Sequence, residues 1–330
     1  MPKQEAKLKM KAKTVPKPRI YTKYNSENDY TLFKGDCLDL IRQIDSESID
    51  LIVTSPPYCM GKRYENPKND LKTFTEQHIK LLPEIYRILN PGGSICWQIG
   101  YHVKDSAIMP LDFIIYDIIN RQLPEEIRNG LILRNRIVWT FGHGLNNTKR
   151  FSGRHEVILW YTKGDEYHYD LDSVRIPQKY PGKRYFKGDK KGELSGNPLG
   201  KNPSDVWDVP NVKANHIEKT EHPCQFPVVI PQRLIRALTS PKGIVFDPFT
   251  GSGSSGIAAI IEKRRFIGSE LSPEYHSIAK KRMRETISGK ISYREDKPVI
   301  EPDMRASVAQ LPKEFARARK RRESYLRTAK

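Results

Sequence analysis

The chain has 330 residues, a formal net charge of +18 and 37% hydrophobic residues, a composition typical of a globular protein with a sizeable core. No apolar run approaches the roughly 20 residues that cross a bilayer, and no apolar stretch of signal-peptide type follows the Lys-rich start. We therefore expect a cytoplasmic protein without a membrane partner. The four cysteines are scattered without a C-x-x-C pair, which argues against a disulfide framework and against a metal site.

Positive charge is concentrated at both ends of the chain. Residues 1–19 hold six lysines and one arginine against one glutamate, and residues 313–330 hold eight basic residues against two glutamates. We interpret residues 1–19 as a disordered basic arm and residues 291–330 as a basic tail. Such segments increase affinity for a polyphosphate by counterion release. The alternative is that they serve solubility alone.

The first half of the chain alternates between predicted strands and helices. A strand over 30–37 ends at Gly-Asp and leads into a helix over 38–44. A strand over 49–54 is followed by a helix over 74–89, whose apolar residues have helical spacing and which the Asn-Pro-Gly-Gly sequence at 90–93 stops. The pattern then continues with a strand at 94–99, a helix at 111–120, and strands at 136–141 and 155–161.

The second half begins with a change of composition. Residues 163–221 are rich in Gly, Pro, Lys and aromatic residues without a sustained period, which predicts an irregular insertion. Regular elements then resume, with helices at 228–238, 256–262 and 273–287 and strands at 243–246 and 265–268. The alternation predicts an α/β fold with a doubly wound, mostly parallel sheet of Rossmann-like type.

A Thr-Ser-Pro-Pro-Tyr sequence closes the apolar strand that ends at residue 54. Its residues Ser55, Pro56, Pro57 and Tyr58 place a hydroxyl, rigid carbonyls and an aromatic face together. Each proline holds its own φ near about −65° and biases the residue before it to extended geometry. Such fixed acceptors suit a base amine, because hydrogen bonds to its N–H groups draw the delocalised lone pair back onto nitrogen.

A glycine-rich bend joins the strand at 243–246 to the helix at 256–262. Small residues there let the backbone approach a ligand, and the helix N-terminus offers free N–H groups. The bend contains a G-x-G-x-x-G pattern and is followed by Glu270, which suits the two hydroxyls of a ribose. A nicotinamide-binding fold also uses this pattern, but it needs a second βαβαβ half for which too little chain remains. The candidate ligand-binding residues are Asp247, Pro248, Phe249, Gly251, Ser252, Gly253 and Glu270.

Together with Gly35-Asp36-Cys37, these two motifs resemble the S-adenosylmethionine-dependent DNA amino-methyltransferases. The resemblance covers roughly residues 30–287. Because the cofactor motif follows the catalytic motif, the order resembles the circularly permuted β group of that family. The resemblance implies that Asp36 and Cys37 contact the adenine of S-adenosylmethionine and that the 222–227 segment, with Phe226, closes over its methionine end.

The implied reaction is direct methyl transfer to the exocyclic amine of a base flipped out of duplex DNA. In this family, Asp or Asn at position 55 generally accompanies adenine N6 as the target, and Ser generally accompanies cytosine N4. Ser55 therefore favours N4-cytosine, with N6-adenine as the alternative. A hydroxyl can accept a hydrogen bond from either amine, so the second reading stays open.

The resemblance divides the chain into a catalytic half at 20–162, a target-recognition region at 163–221 and a cofactor-binding half at 222–290. The resemblance implies double-stranded DNA as the partner. A cognate restriction endonuclease is a possible second partner. Two other classes stay open, a non-catalytic DNA-binding protein of this fold and a methyltransferase acting on RNA or protein. The candidate phosphate contacts in the recognition region are Lys179, Lys183, Arg184, Lys187, Lys190, Lys191 and Lys201.

Overall fold

The computed structural model describes residues 18–58, 70–104, 107–142, 144, 146–177, 184–195, 197, 199–213 and 215–295. The predicted basic arm, except residues 18 and 19, and the tail beyond residue 295 lie outside the described residues. All statements below concern the described part of the chain.

Strands and helices alternate along the chain as the sequence predicted. The strands are β1 (Ile20–Tyr21), β2 (Tyr30–Lys34), β3 (Ile49–Thr54), β4 (Leu89–Ile99), β5 (Tyr101–Lys104), β6 (Ala107–Pro110), β7 (Leu131–Thr140), β8 (His155–Lys163), β9 (Val206–Asp208), β10 (Ile244–Asp247) and β11 (Arg265–Glu270). The helices are α1 (Cys37–Ile41), α2 (Leu71–Ile88), α3 (Leu111–Asp117), α4 (Glu125–Gly130), α5 (Val229–Leu238), α6 (Ser254–Ile261) and α7 (Pro273–Ile287).

One large sheet organises the molecule, with the strand order β1-β2-β11-β10-β3-β4-β8-β7-β9. The strands from β1 to β4 in this order are parallel to their neighbours. β8 is antiparallel to both β4 and β7, and β9 is parallel to β7. This is the mostly parallel sheet that the alternating pattern predicted, and the fold class is confirmed.

Helices cover both faces of this sheet because alternate strand residues point to opposite sides. On β3, Ile52 belongs to the core that contains α1, α2 and α3. Its neighbours Leu51 and Val53 belong to the second core, which contains α5, α6 and α7. The sheet is therefore doubly wound, and its strand ends are left free to build a site.

α2 ends at Ile88, just before the predicted stop at residues 90–93, but the next strand begins earlier than the predicted residue 94. β4 begins at Leu89 and runs through these residues, with an irregular register against β3 between Ile49 and Leu51. Gly92 has φ +74°, and a Cβ there would lie 2.6 Å from the Glu166 carbonyl oxygen. The Pro-Gly-Gly sequence thus lies inside a strand, where the register of that strand against β3 is irregular. β1, the pair β5 and β6, α4 and β9 were not predicted from the sequence.

The insertion after β8 packs against α5 and returns to the sheet. The Asp170 amide donates to the Ala237 carbonyl at 2.7 Å, and the Ser173 hydroxyl donates to the Arg236 carbonyl at 3.1 Å. Further along, β9 extends the sheet beside β7. No helix in the described part is both long enough and apolar enough to span a membrane.

Candidate active site

The Ser-Pro-Pro-Tyr turn leaves the sheet where β3 ends. Thr54, the last residue of β3, and Pro56 in the turn are buried, whereas Ser55 and Tyr58 are half-buried. The distance between Ser55 Oγ and Tyr58 Oη is 3.4 Å. The turn therefore holds a hydroxyl beside an aromatic ring at the edge of the sheet where β3 ends.

Two polar residues from neighbouring strands hold the Tyr58 hydroxyl. Gln98 on β4 donates to Tyr58 Oη at 2.9 Å, and Tyr58 Oη donates to Glu156 Oε2 on β8 at 3.4 Å. The Gln98 amide also donates to the Glu156 carboxylate. Burial, followed by the Glu156 carboxylate, raises the pKa of Tyr58 well above its usual range. The phenol is therefore protonated. Its hydroxyl is held by Gln98 from β4 and by Glu156 from β8.

Neither Gln98 nor Glu156 was identified from the sequence. Each lies in an apolar strand, Gln98 near the end of β4 and Glu156 near the start of β8. Because β8 is antiparallel to β4, with Gln98 opposite Ile158, these two ends meet at one edge of the sheet. A polar side chain interrupting a buried strand was the available signal.

The glycine-rich bend begins one strand away from the turn. β10 is the parallel neighbour of β3, with Ile52 opposite Phe246. At the strand ends, the Thr54 hydroxyl donates to Asp247 Oδ1 at 2.6 Å, although the two residues are 193 positions apart. The two sequence motifs therefore meet at the same edge of the sheet.

Asp247 connects three parts of this edge through a fully buried carboxylate. Besides Thr54, it accepts hydrogen bonds from the Ser255 hydroxyl and from the Phe249 amide, the latter at 3.0 Å. Burial raises the pKa of Asp247 to about 6, although these hydrogen bonds favour the carboxylate. Asp247 thus holds the bend in place, and its direct contact with a cofactor stays a prediction.

Two glycines in the bend have left-handed backbone conformations, which favour glycine. Gly251 has φ +53° and Gly253 has φ +87°. A Cβ at Gly253 would lie 3.1 Å from Ala279 Cα on α7, and a Cβ at Gly251 would lie 3.1 Å from His222 Nε2. Glycine is favoured here both by φ and by the close approach of neighbouring groups.

Protein contacts fix the other residues of the bend. The buried Ser252 accepts hydrogen bonds from Arg282, at 2.7 Å to its carbonyl and 3.2 Å to its hydroxyl. The Ser269 hydroxyl donates to the Pro248 carbonyl at 2.7 Å. The Phe249 ring meets Trp97 edge to face, with 6.4 Å between centroids. The bend is thus rigid before any ligand arrives.

Glu270 ends β11 and points back to the bend. Its Oε2 accepts from the Gly251 amide at 2.8 Å, and its Oε1 accepts from the Ser272 amide at 2.8 Å. Burial raises the pKa of Glu270. The remaining lone pairs of the carboxylate can accept hydrogen bonds from hydroxyl groups of a ligand.

The Gly-Asp-Cys sequence lies directly beside Glu270. β2 pairs with β11, and the Gly35 amide donates to the Glu270 carbonyl at 3.1 Å. The exposed Asp36 caps α1 by accepting from the Leu38 amide at 2.8 Å. Burial, assisted by Asp36, raises the pKa of Cys37 to about 12, so the thiol is neutral. The predicted adenine contacts thus adjoin the predicted ribose acceptor.

The 222–227 segment packs on the glycine bend. The His222 ring lies next to Gly251 and meets Tyr275 edge to face, with 4.4 Å between centroids. Burial lowers the pKa of His222 to about 4, so the ring is neutral. The carbonyl of the buried Phe226 accepts from the Ser254 hydroxyl at 2.9 Å. Within the described residues, no group of three or more His, Cys, Asp or Glu side chains is arranged to hold a metal ion.

Comparison with known proteins identifies the family. A family model described as DNA methylase, of the N6 and N4 type, matches residues 49–281, a range that includes both motifs. The chain belongs to this DNA methylase family.

Relatives of the methylase include a protein named as a type II methyltransferase and one named as a DNA adenine methyltransferase. The type II methyltransferase M.BglII of Bacillus subtilis is 45% identical over 249 residues, which are 75% of this chain and 67% of that protein. The DNA adenine methyltransferase YhdJ of Escherichia coli (strain K12) is 30% identical over 259 residues, 77% of this chain and 82% of that protein. Among solved structures, a PvuII DNA methyltransferase described as cytosine-N4-specific has the same fold, with a TM-score of 0.59, 19% identity, and coverage of 79% of this chain and 92% of that one.

The methyl donor of this methylase is S-adenosylmethionine, and the residues at the site fit it. Gly251, Ser252 and Gly253 have small side chains or none, so the backbone of the bend can approach a ligand closely. The Glu270 carboxylate has lone pairs for the ribose hydroxyls beyond the two that the backbone amides use. The assignment of individual residues to adenine, ribose and methionine stays a prediction.

The predicted phosphate contacts that the structure describes are all exposed. They are Arg184, Lys187, Lys190, Lys191 and Lys201, whereas Lys179 and Lys183 lie outside the described residues. Tyr185 and Glu193 are hydrogen-bonded through their backbones at 3.0 Å, which closes a turn with Lys187, Lys190 and Lys191 between them. The methylase thus presents a compact group of positive charges on this turn, and its contact with DNA stays a prediction.

Proposed function

We propose that this methylase transfers a methyl group from S-adenosylmethionine to the exocyclic N4 amine of a cytosine that is flipped out of duplex DNA. The observation that carries the proposal is the Thr54–Asp247 hydrogen bond of 2.6 Å. It joins the turn that suits a base amine to the bend that suits the cofactor. Donor and acceptor are thereby held in one cleft, and such alignment supplies much of the rate of a two-substrate reaction.

The chemical task of the turn is to activate a weak nucleophile. The lone pair of N4 is delocalised into the ring of cytosine, and it must localise on nitrogen before a bond can form. The Ser55 hydroxyl and the Pro56 carbonyl accept hydrogen bonds from the two N–H groups of the amine. These bonds strengthen as nitrogen becomes tetrahedral, so they stabilise the transition state more than the ground state.

Tyr58 positions the base. Its ring stacks on cytosine, while Gln98 and Glu156 hold its hydroxyl from the side of the sheet. Because the phenol has no freedom to turn away, the ring is ready before the base arrives. Stacking on such an aromatic ring is worth about 1–3 kcal/mol per base, which offsets part of the cost of unstacking.

Bound S-adenosylmethionine supplies an electrophilic methyl group. The amine nitrogen forms the new C–N bond as the C–S bond breaks, and the nitrogen then loses one proton to solvent. The reaction uses no covalent intermediate with the protein. Ser55 acts as a hydrogen-bond acceptor throughout.

Ser55 is the basis for preferring cytosine. The resemblance to the amino-methyltransferases associates Ser at this position with N4-cytosine and Asp or Asn with N6-adenine. The similarity to a structure described as cytosine-N4-specific concerns the fold alone and does not determine which base this methylase modifies.

N6-adenine is the second candidate, and one observation favours it. YhdJ, which is 30% identical over 77% of this chain, is named a DNA adenine methyltransferase. A hydroxyl at position 55 accepts a hydrogen bond from N6 of adenine as readily as from N4 of cytosine. The mechanism above applies to either amine.

We place the activity in a type II restriction-modification system, since M.BglII is named a type II methyltransferase. In that role, methylation protects host DNA from a cognate endonuclease. The basic turn around Lys190 supports duplex DNA as the substrate, because it offers several cations to phosphates.

Mass spectrometry of nucleosides tests the proposal. Plasmid DNA from cells that express the wild-type protein or the Ser55→Ala variant is digested to nucleosides, and 4-methylcytosine is scored against 6-methyladenine. We expect 4-methylcytosine with the wild type and a large loss with Ser55→Ala. A 6-methyladenine product would overturn the choice of base, and the absence of both would overturn the proposed activity.

A further inference from the structure

Part of the chain between β7 and β8, residues 146–154, forms a folded loop at the catalytic edge of the sheet. Residues 146–154 are called here the Phe151 loop. β7 and β4 are both antiparallel to β8, so β7 ends at the same edge as β4 and β3. The Phe141 amide donates to the Arg154 carbonyl at 2.9 Å, which closes the base of the loop.

Direct packing connects the loop to the Ser-Pro-Pro-Tyr turn. Gly153 lies against the Tyr101 hydroxyl so closely that a Cβ would overlap it. Gly100, the residue before Tyr101, packs on Tyr58, since a Cβ there would lie 3.1 Å from the Tyr58 ring. The loop therefore stands beside the turn that receives the base.

Hydrogen bonds give the tip of the loop a defined shape. Asn147 Oδ1 accepts from the amides of Lys149 and Arg150 at 2.8 and 3.0 Å. The Asn147 amide donates to the Ser152 hydroxyl at 3.0 Å. These bonds span the residues on either side of Phe151, so its side chain projects from a structured turn.

Phe151 is fully exposed, with 100% of its side-chain surface open to solvent. Single exposed apolar residues are common, but this one combines complete exposure, two basic neighbours and a place beside the candidate base pocket. Removing a base from a duplex leaves a gap in the stack. Proteins that distort DNA insert apolar side chains such as Phe between base steps.

We propose that Phe151 inserts into the DNA stack at the place that the target base leaves, while the exposed Lys149 next to it contacts a flanking phosphate. This inference rests on the proposed function, since it requires a base flipped from duplex DNA. Phe151 stacks on the neighbouring base pairs and stabilises the flipped state. During base flipping, Tyr58 thus stacks on the flipped base, and Phe151 fills the gap that the base leaves in the duplex.

Phe186 is the natural comparison, because it is also highly exposed, at 89%. Its neighbour Tyr185 pairs with Glu193 in the basic turn of the insertion, and that insertion packs on α5. The packing of Gly153 on Tyr101 belongs to the Phe151 loop, whereas Phe186 lies in the insertion.

The test compares two DNA duplexes that carry the recognition sequence, once sequencing of modified plasmid has identified it. One duplex has the normal target pair, and the other has an abasic site opposite the target, so the target is already unpaired. Methyl transfer is measured in a single turnover at saturating protein. In parallel, 2-aminopurine beside the target reports unstacking by its fluorescence.

We expect Phe151→Ala to lower the rate on the normal duplex about tenfold and to reduce the fluorescence increase. On the abasic duplex it should act within about twofold of the wild type, because no pair needs to be broken. Phe151→Trp should keep most of the wild-type rate, and Phe186→Ala should keep the fluorescence increase.

Equal effects of Phe151→Ala on the two duplexes would overturn the inference, and so would a wild-type rate on the normal duplex. The inference would also be overturned if Phe186→Ala, and not Phe151→Ala, abolished the fluorescence increase. The result with the wild-type protein distinguishes a failure of the Phe151 inference from a failure of the proposed function. Failure of the wild type to methylate either duplex would refute the proposed function as well, whereas normal wild-type transfer with an unaffected Phe151→Ala refutes the inference alone.

Discussion

The hydroxyl of Thr54 and the carboxylate of Asp247 form a 2.6 Å hydrogen bond between the ends of two parallel strands. Both side chains are fully buried. The residue after Thr54 begins the Ser-Pro-Pro-Tyr turn, and the residue after Asp247 begins the glycine bend. One hydrogen bond therefore sets the position of one motif relative to the other.

Replacing Thr54 with Val tests this connection. Valine keeps the shape of threonine but leaves the buried Asp247 with one donor fewer, so we expect a loss of about 1–3 kcal/mol in unfolding free energy. We also expect slower methyl transfer, because the two motifs lose their common anchor. Urea denaturation and single-turnover transfer measure the two effects.

Thr162→Val is the matched control for that experiment. Thr162 is also fully buried and hydrogen-bonded, but it lies at the opposite end of the sheet, near the end of β8. It should lower stability without a comparable loss of rate once the protein is folded. Full turnover by a folded Thr54→Val protein would contradict the anchoring role.

Glu270→Gln tests the predicted ribose acceptor. The carboxylate accepts from two backbone amides, and an amide side chain would present an N–H group to one of them. We expect binding of S-adenosylmethionine to weaken about 10- to 100-fold, as is typical when a charged hydrogen-bonding group is lost. Isothermal titration calorimetry measures the affinity.

Glu274→Gln provides the comparison for Glu270→Gln. Glu274 is an exposed acid in the first turn of α7, the helix that follows β11. Its substitution removes the same charge close to the site without touching the bend. Equal affinities for all three proteins would show that Glu270 does not hold the cofactor.

The pKa of Asp247 predicts a pH dependence of stability. Burial raises this pKa to about 6, whereas Asp in an unfolded chain titrates near about 3.9. The folded protein thus binds more protons than the unfolded chain between these values, so this group stabilises the fold at low pH and the benefit is lost as pH rises through about 6.

Asp247→Asn does not titrate and therefore isolates this effect. Relative to that variant, we expect the unfolding free energy of the wild type to fall by about 2 kcal/mol between about pH 4 and pH 7. Urea denaturation at several pH values measures the difference. A difference that rises with pH would mean that the hydrogen bonds to the carboxylate outweigh its burial.

The three lysines of the basic turn predict the salt dependence of DNA binding. Each phosphate contact contributes about 0.9 to the slope of log affinity against log salt. If Lys187, Lys190 and Lys191 each contact a phosphate, their combined replacement with Ala should reduce the magnitude of the slope by about 2 to 3. Fluorescence anisotropy with labelled duplex at several salt concentrations measures it.

The control for the lysine turn removes three exposed lysines elsewhere, at Lys80, Lys281 and Lys290. The two triple variants carry the same net charge. A similar change of slope in both would mean that overall charge, and not the turn, sets the salt dependence.

Much of the site could be predicted because local residue types determine it. Prolines restrict the turn at Ser55, and glycines permit the positive φ of the bend at Gly251. Parallel strands of a doubly wound sheet bring such turns to one edge, so the meeting of Thr54 and Asp247 follows from strand order.

The remaining contacts depend on pairings that no local pattern reveals. Gln98 and Glu156 meet Tyr58 only because β8 turns antiparallel to β4. The Asn-Pro-Gly-Gly sequence predicts the end of α2, but its place inside β4 depends on the pairing of that strand with β3. The position of the Phe151 loop likewise depends on Gly153 packing on Tyr101.

The most direct test of the account is transfer of a labelled methyl group from S-adenosylmethionine to DNA by three proteins at saturating DNA. These are the wild type, Ser55→Ala from the turn and Glu270→Gln from the bend. We predict that the wild type labels an exocyclic amine and that each substitution sharply reduces labelling at a low cofactor concentration, with only Glu270→Gln recovering as the cofactor is raised. Undiminished labelling by both variants would contradict a single site built from the two motifs.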